Sequence, residues 1–238
     1  MRSLKNIARI AGLGYLIIFS TGFFANFFVL EGLLVDGDAV ATTENITNNL
    51  SQFRLGTVGF IIMIITDVLM AYPLYLLLRP THKYLAMLSA WLRLVNGAVF
   101  AVAIFNLFGI IHLLSGADYL QVLDESHIQA QVMMLLKAFN YTWLLGLVFF
   151  GLHLLILGYL VFRSCYFPWI LGPLLQIAAL GYLIDSFAQF LLANYANHKG
   201  IFEMIVVIPS IVGEFSLTLW LLIKGIRKSS PGKPIHTL

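Results

Sequence analysis

Five side chains that can carry charge sit in stretches of this sequence that are otherwise apolar. Asp67 lies in "GFIIMIITDVLMAYPLYLLL", Arg93 in "AWLRLVNGAVFAVAIFNLFGII", His153 in "GLVFFGLHLLILGYLVF", Asp185 in "LGPLLQIAALGYLIDSFAQFLL" and Glu214 in "MIVVIPSIVGEFSLTLWLLI". Their types suggest three chemistries. A histidine, whose ordinary pKa is near neutrality, can exchange a proton with an acid that burial keeps protonated. A guanidinium can hold one or two carboxylates or another anion. A histidine and an acid can also serve as an acid/base pair on a lipid-borne substrate.

Their spacing places them together in depth. Counting from the basic residues at the ends of the apolar runs, Arg93 is ten residues past Lys83, His153 ten before Arg163 and Glu214 ten before Lys224. At the helical rise each is about 15 Å deep, and Asp67, twelve before Arg79, about 18 Å. That is close to the middle of a hydrocarbon slab about 30 Å thick. Asp185 falls nearer the other face. A lipid-facing charge at the centre costs about 2.5–3.5 kcal/mol, so four would approach roughly 10 kcal/mol, comparable to a domain's whole stability. The groups are therefore expected to face one another or a wet cavity.

Helical spacing agrees. Ser89, Arg93, Asn96 and Gly97 share one face, Thr142, Gly146, Phe149 and His153 a second, Tyr182, Asp185 and Gln189 a third, and Ser210, Glu214 and Thr218 a fourth. Asp67 or Glu214, or both, would partner Arg93, and a surplus acid would be protonated or share a proton with His153. The candidate ligand- or proton-binding set is Asp67, Arg93, Asn96, His153, Asp185 and Glu214. A purely structural buried ion cluster is the competing reading of the same residues.

His153, Asp185, Glu214 and His112 are metal-type ligands, but no HExxH or paired-cysteine spacing joins them, and no metal site is expected. No cofactor is indicated: no glycine loop could cradle a phosphate, and Gly146, Gly151, Gly158, Gly172 and Gly181 suit close helix contact instead. Ser186 and Ser210 lie near acids by helical proximity alone. The single cysteine, Cys165, cannot form an internal disulfide.

The elements that must position these groups follow from composition. Sixty per cent of the residues are apolar and 11% charged, against roughly 45–50% and 25% in a soluble domain. The chain reads as an all-α polytopic membrane protein, a bundle of six transmembrane helices over roughly 8–30, 56–78, 84–114, 141–162, 168–193 and 203–224. Short surface helices are expected in the outer loops. One would begin at Thr42 or Thr43 and run through Ile46, Leu50 and Phe53, and another would begin near Ser126; both could cover the polar layer. Residues 1–228 form one expected domain, and 229–238, "SPGKPIHTL" with its preceding serine, an expected disordered cytoplasmic tail. The first apolar run is longer than a signal-peptide core and lacks a clear cleavage site, so it is expected to be retained.

Arg2, Lys5, Arg9, Arg79, Lys83, Arg163, Lys224, Arg227, Lys228 and Lys233 fall on one side of this topology, against Arg54, Lys137 and Lys199 on the other. Both termini are thus expected in the cytoplasm, with the protein in the plasma membrane. The net charge of +3 reflects that asymmetry, and no nucleic-acid partner is indicated. The partners expected are the lipid bilayer and a proton or a small polar or anionic ligand. Two sequons, at Asn45 and Asn49, are too common a pattern to carry weight.

Six segments carry a family resemblance: "ARIAGLGYL", "GDAVATTENI", "LYLLLRP", "WLRLVNGA", "VFFGLHLLILGYLVFRSCYFPWILGPLLQIAALGYLIDSF" and "GEFSLTLWLLIKG". In this order they make the chain resemble the bacterial and archaeal multi-pass membrane proteins grouped as domain of unknown function family 4386. The resemblance implies an integral membrane protein and brings no established activity with it. A small-molecule- or proton-binding transporter is the first functional expectation. An intramembrane enzyme and a structural or sensor subunit are the others, with a transporter or sensor preferred over an enzyme.

Overall fold

The computed structural model describes residues 2–225 except 121, so the expected tail and the basic residues Arg227, Lys228 and Lys233 lie outside the described residues. The described chain is helical throughout, without a strand. Six helices are long and apolar enough to cross a membrane: Leu4–Leu33, Leu50–Leu78, Lys83–Leu113, Glu125–Arg163, Leu171–Leu191 and Tyr195–Ile223. The protein is a multi-pass membrane protein. Large apolar side chains such as Leu69, Phe105, Leu191 and Ile223 are turned outward. On a soluble protein such side chains would drive aggregation, whereas hydrocarbon is as good a solvent for them as a core.

The connection between the first two spans holds a surface helix, Ala39–Asn48. It starts earlier than Thr42 because Asp38 is its cap, accepting from the Ala41 N–H at 2.9 Å. Thr42 instead turns back on the loop that follows the first span, accepting from the Val35 N–H at 3.0 Å and donating to the Val35 carbonyl at 3.1 Å. Leu50 and Phe53, expected on this helix, belong to the second span.

The expected surface helix near Ser126 is continuous with the fourth span, as one helix of 39 residues. No proline interrupts 125–163, and no glycine occurs before Gly146. At its rise that helix is about 58 Å long, so its first turns extend past the hydrocarbon. Asp124 caps its start, accepting from the His127 N–H at 2.8 Å and the Ser126 hydroxyl at 2.8 Å, with His127 Nδ1 at 2.7 Å.

These donors, the backbone N–H first, hold the Asp124 carboxyl down at about 2, below its ordinary 3.8. A depressed folded pKa gives a contribution that is complete above 3.8 and lost as the pH falls through about 2. Hydrogen-exchange protection of the amides at 126–128 is expected to hold steady from neutral pH down to that upper value and to disappear toward the lower one. Asp124→Ala is expected to remove the pH-dependent part; an unchanged profile in this variant would show that the cap does not hold the turn.

The described residues group into two compact units. The first contains those of Met1–Leu13, Tyr72–Trp91 and Gly151–Leu238, and the second Gly14–Ala71 and Leu92–Phe150. The second unit has a contiguous apolar core running from Ala25, Val29 and Ile46 through Phe53, Phe60, Phe100 and Leu107 to Val132 and Phe139. Phe100 stacks on Trp143 with ring centres 3.8 Å apart and planes 7° from parallel. Between Phe24 and Leu30 the first span widens into a π-helix. The Phe28 carbonyl in this stretch accepts from Gln52 Nε2 at 2.8 Å, which ties the first span to the second.

The first unit is organised by backbone contact at glycines. A Cβ placed on Gly158 would lie 2.8 Å from the Gly172 carbonyl, and one on Gly172 would lie 2.7 Å from the Gly158 carbonyl, so the fourth and fifth spans touch there main chain to main chain. Pro209 has no N–H for the Ile205 carbonyl four residues earlier. That carbonyl lies against Gly181 of the fifth span, 2.5 Å from where a Cβ would stand. Just beyond, the sixth span takes a π-helical turn, Ile211–Phe215, that contains Glu214.

Candidate functional site

In the second unit Asp67, Arg93 and Asn96 come together. Gly97 lets the second span approach the third, because a Cβ there would fall 2.4 Å from Val68 Cγ2. With the helices this close, Arg93 on one reaches Asp67 on the other. Nη2 of Arg93 meets Asp67 Oδ1 at 2.5 Å, and Nε donates to the Asp67 backbone carbonyl at 3.0 Å. One residue thus supplies both a counter-charge and an acceptor to a single guanidinium fork. Nη1 donates to the Tyr15 hydroxyl at 3.3 Å, and the guanidinium lies 5.2 Å from the Tyr15 ring centre and 5.8 Å from that of Phe150. Asn96 Nδ2 donates to the other carboxylate oxygen, Oδ2, at 3.2 Å.

Arg93 and Asn96 are fully buried and Asp67 nearly so. Such burial is tolerable because each charge meets the other and both make further hydrogen bonds. One acceptor is left over: Asn96 Oδ1 has no hydrogen-bond partner. It faces Gly146 of the fourth span, where a Cβ would lie 3.3 Å from it and 2.5 Å from the Phe100 ring.

The first unit holds the other three candidates, each on different partners. His153 Nδ1 lies 2.8 Å from the Ser89 carbonyl and 2.9 Å from the Ser89 hydroxyl, while that hydroxyl donates to the His153 carbonyl at 3.4 Å. A carbonyl can only accept, so Nδ1 must carry the proton. In the neutral ring Nε2 is then the basic nitrogen.

Glu214 Oε1 accepts from the Tyr182 hydroxyl at 3.0 Å. Its π-helical turn is the kind of local distortion that recurs at functional positions. Its backbone carbonyl accepts from Thr218 Oγ1 at 2.8 Å. Gly213 lets this turn rest against the fifth span, where its Cβ would be 2.9 Å from the Leu174 carbonyl. Asp185 accepts from the Tyr195 hydroxyl at 2.6 Å and from Gln189 Nε2 at 3.1 Å, joining the end of the fifth span to the start of the sixth. Beside it, Ser186 Oγ is buried and has no hydrogen-bond partner.

Tyr15, Phe150 and Tyr195 were not singled out from the sequence. Tyr15 and Tyr195 had a usable signal, a phenol within or at the end of an apolar run, whereas Phe150 resembles every other core phenylalanine. Among the described residues no three His, Cys, Asp or Glu side chains converge as metal ligands. His112 pairs with the Tyr119 hydroxyl, and Cys165 is an exposed free thiol.

The order of motifs along the chain and these buried groups can be set beside known proteins. A family model described as a domain of unknown function (DUF4386) matches residues 10–225. The chain belongs to the DUF4386 family. An uncharacterised protein of Archaeoglobus fulgidus is 35% identical over 181 residues, 76% of this chain and 90% of the relative. No solved structure matches the chain. The DUF4386 match takes in all six candidate residues, and their roles rest on the geometry above.

Proposed function

We propose that this DUF4386 protein binds and releases protons within the plasma membrane, with both termini cytoplasmic, and couples that exchange to movement of a small polar or anionic solute. The observation that carries the reading is the orientation of His153. It is buried, and the Ser89 carbonyl holds its proton on Nδ1, so its ring enters the protein as a base at Nε2. A purely structural histidine needs only satisfied nitrogens. A proton carrier needs a defined tautomer with one nitrogen left basic, and the Ser89 carbonyl supplies it.

Glu214, in the same unit, is a second protonatable group, with a phenol to donate to it and a locally distorted helix that can relax. The Asp67–Arg93 pair serves as the fixed charge scaffold of the other unit. The excess of basic residues at one set of helix ends supports the orientation.

The experiment uses purified protein in liposomes carrying an internal pH-sensitive dye. Wild-type vesicles are expected to collapse an imposed pH gradient faster than protein-free ones. His153→Gln is expected to reduce the protein-dependent rate by roughly a hundredfold, the scale of losing a positioned proton-transfer group, while keeping the wild-type melting temperature. Nitrogen-15 solid-state NMR of the imidazole is expected to show Nδ1 protonated in the neutral ring and Nε2 titrating. Wild-type flux in the variant, or an imidazole that never titrates between pH 5 and 9, would leave His153 as a packing residue.

A further inference from the structure

At the ends of the first two spans the first unit has a groove that the proton-binding reading does not use. Leu4 and Ile7 form one wall, Tyr72 and Leu76 the other, and Arg79 with Pro80 closes one end. Its volume is about 460 Å³, within the roughly 300–1,000 Å³ typical of small-molecule sites. We propose that it binds one acidic phospholipid, with an acyl chain along the apolar walls and the phosphate at Arg79.

Three features select that occupant. The first is depth. Arg79 directly follows the second span, which ends at Leu78, and Leu4 begins the first, so the polar end of the groove stands at headgroup level. The second is shape. Tyr72, Leu76 and Arg79 follow one another at helical spacing, so the wall from ring to guanidinium extends about 10 Å along the helix, enough for the upper part of a chain but far more than a free phosphate needs.

The third is charge. Arg79 is the charged residue lining the groove, and no carboxylate lines it among the described residues. Lys83 opens the next span four residues later, and Lys5 and Arg9 lie beside Leu4 and Ile7 in the sequence. A headgroup that adds an ammonium would bring a like charge to this end, whereas a net-anionic one brings only attraction. Arg79 can grip a phosphate bidentately.

Native mass spectrometry from nanodiscs containing equal phosphatidylglycerol and phosphatidylcholine tests the proposal. Wild type is expected to retain one phosphatidylglycerol in preference to phosphatidylcholine. Arg79→Gln is expected to lower that preference by about fivefold, the effect of one basic residue near the surface. Arg79→Lys is expected to retain most of it, and Leu76→Trp to reduce total lipid retained by filling the groove. Arg163→Gln, which removes a basic residue at the end of another span, is the control and is expected to change nothing. Equal retention of the two lipids by wild type, or an equal loss in the Arg79→Gln and Arg163→Gln variants, overturns the site. Displacement of the lipid by inorganic phosphate would overturn the assignment to a phospholipid.

Discussion

Asp67→Ala is expected to destabilise the protein by about 3–5 kcal/mol, the cost of leaving a buried charge without its partner. The substitution removes the carboxylate 2.5 Å from Arg93 Nη2 and the acceptor of the Asn96 amide, while leaving the backbone carbonyl that receives Nε. A guanidinium cannot shed its proton to escape the problem, so the change should appear as lost folded yield and a lowered melting temperature in detergent. Arg93→Lys tests geometry rather than charge. Lysine keeps the positive charge but cannot reach both the Asp67 carboxylate and the Asp67 carbonyl in one plane, so it should recover only part of the stability of Arg93→Ala. A cycle through Asp67→Asn and Arg93→Gln is expected to give a coupling of about 1–3 kcal/mol. Additive losses would mean that the two side chains stabilise the second unit separately.

Gly172→Ala is expected to cost about 1–3 kcal/mol, although alanine is the better helix former. Its methyl would sit 2.5 Å from Phe162 Cβ and 2.7 Å from the Gly158 carbonyl, both parts of the main chain or rigidly attached to it. Relief requires the fourth and fifth spans to move apart. In a bilayer little compensates for lost contact, since lipid tails offer no hydrophobic drive to bring helices back together. Gly146→Ala meets the edge of the Phe100 ring instead, which is held in its stack on Trp143 but belongs to a side chain rather than to the main chain, and should cost less. Thermal unfolding of both variants in the same detergent checks the order. A Gly172→Ala protein as stable as wild type would show that the helices are free to separate at this crossing.

Reading the sequence located the spans to within a few residues at many of their ends, because a long apolar run is a strong signal wherever it occurs. It placed the start of the surface helix at Thr42 or Thr43 instead of Asp38, since all three side chains can cap and only tertiary contact decides among them. Thr42 is drawn to Val35, which leaves Asp38 to the helix. A helix near Ser126 was legible, but its continuity with the fourth span was not, as its polar first turns resemble a separate amphipathic segment. Asp67, Arg93, Asn96, His153, Asp185 and Glu214 are all buried. Their partners were less readable: Arg93 had two candidate acids, and nothing in the spacing pointed to Tyr15, or to the Ser89 carbonyl as the group that fixes His153.

What this sequence determines by itself is the solvent the protein lives in, the number of crossings and the need to bury its central charges. Hydropathy and the cost of a charge in hydrocarbon are properties of single residues and short runs, and they add along the chain. What only the tertiary structure decided is pairing: Asp67 beneath Arg93, Ser89 beneath His153, Tyr182 on Glu214 and Tyr195 on Asp185. Pairing depends on how each helix is rotated and how near it comes to its neighbour. Those quantities are set by close contacts at Gly97, Gly158, Gly172 and Gly181, by the proline at 209 and by the π-helical turn around Glu214. On spans apolar around most of their circumference, no stripe of polar residues is wide enough to announce them in advance.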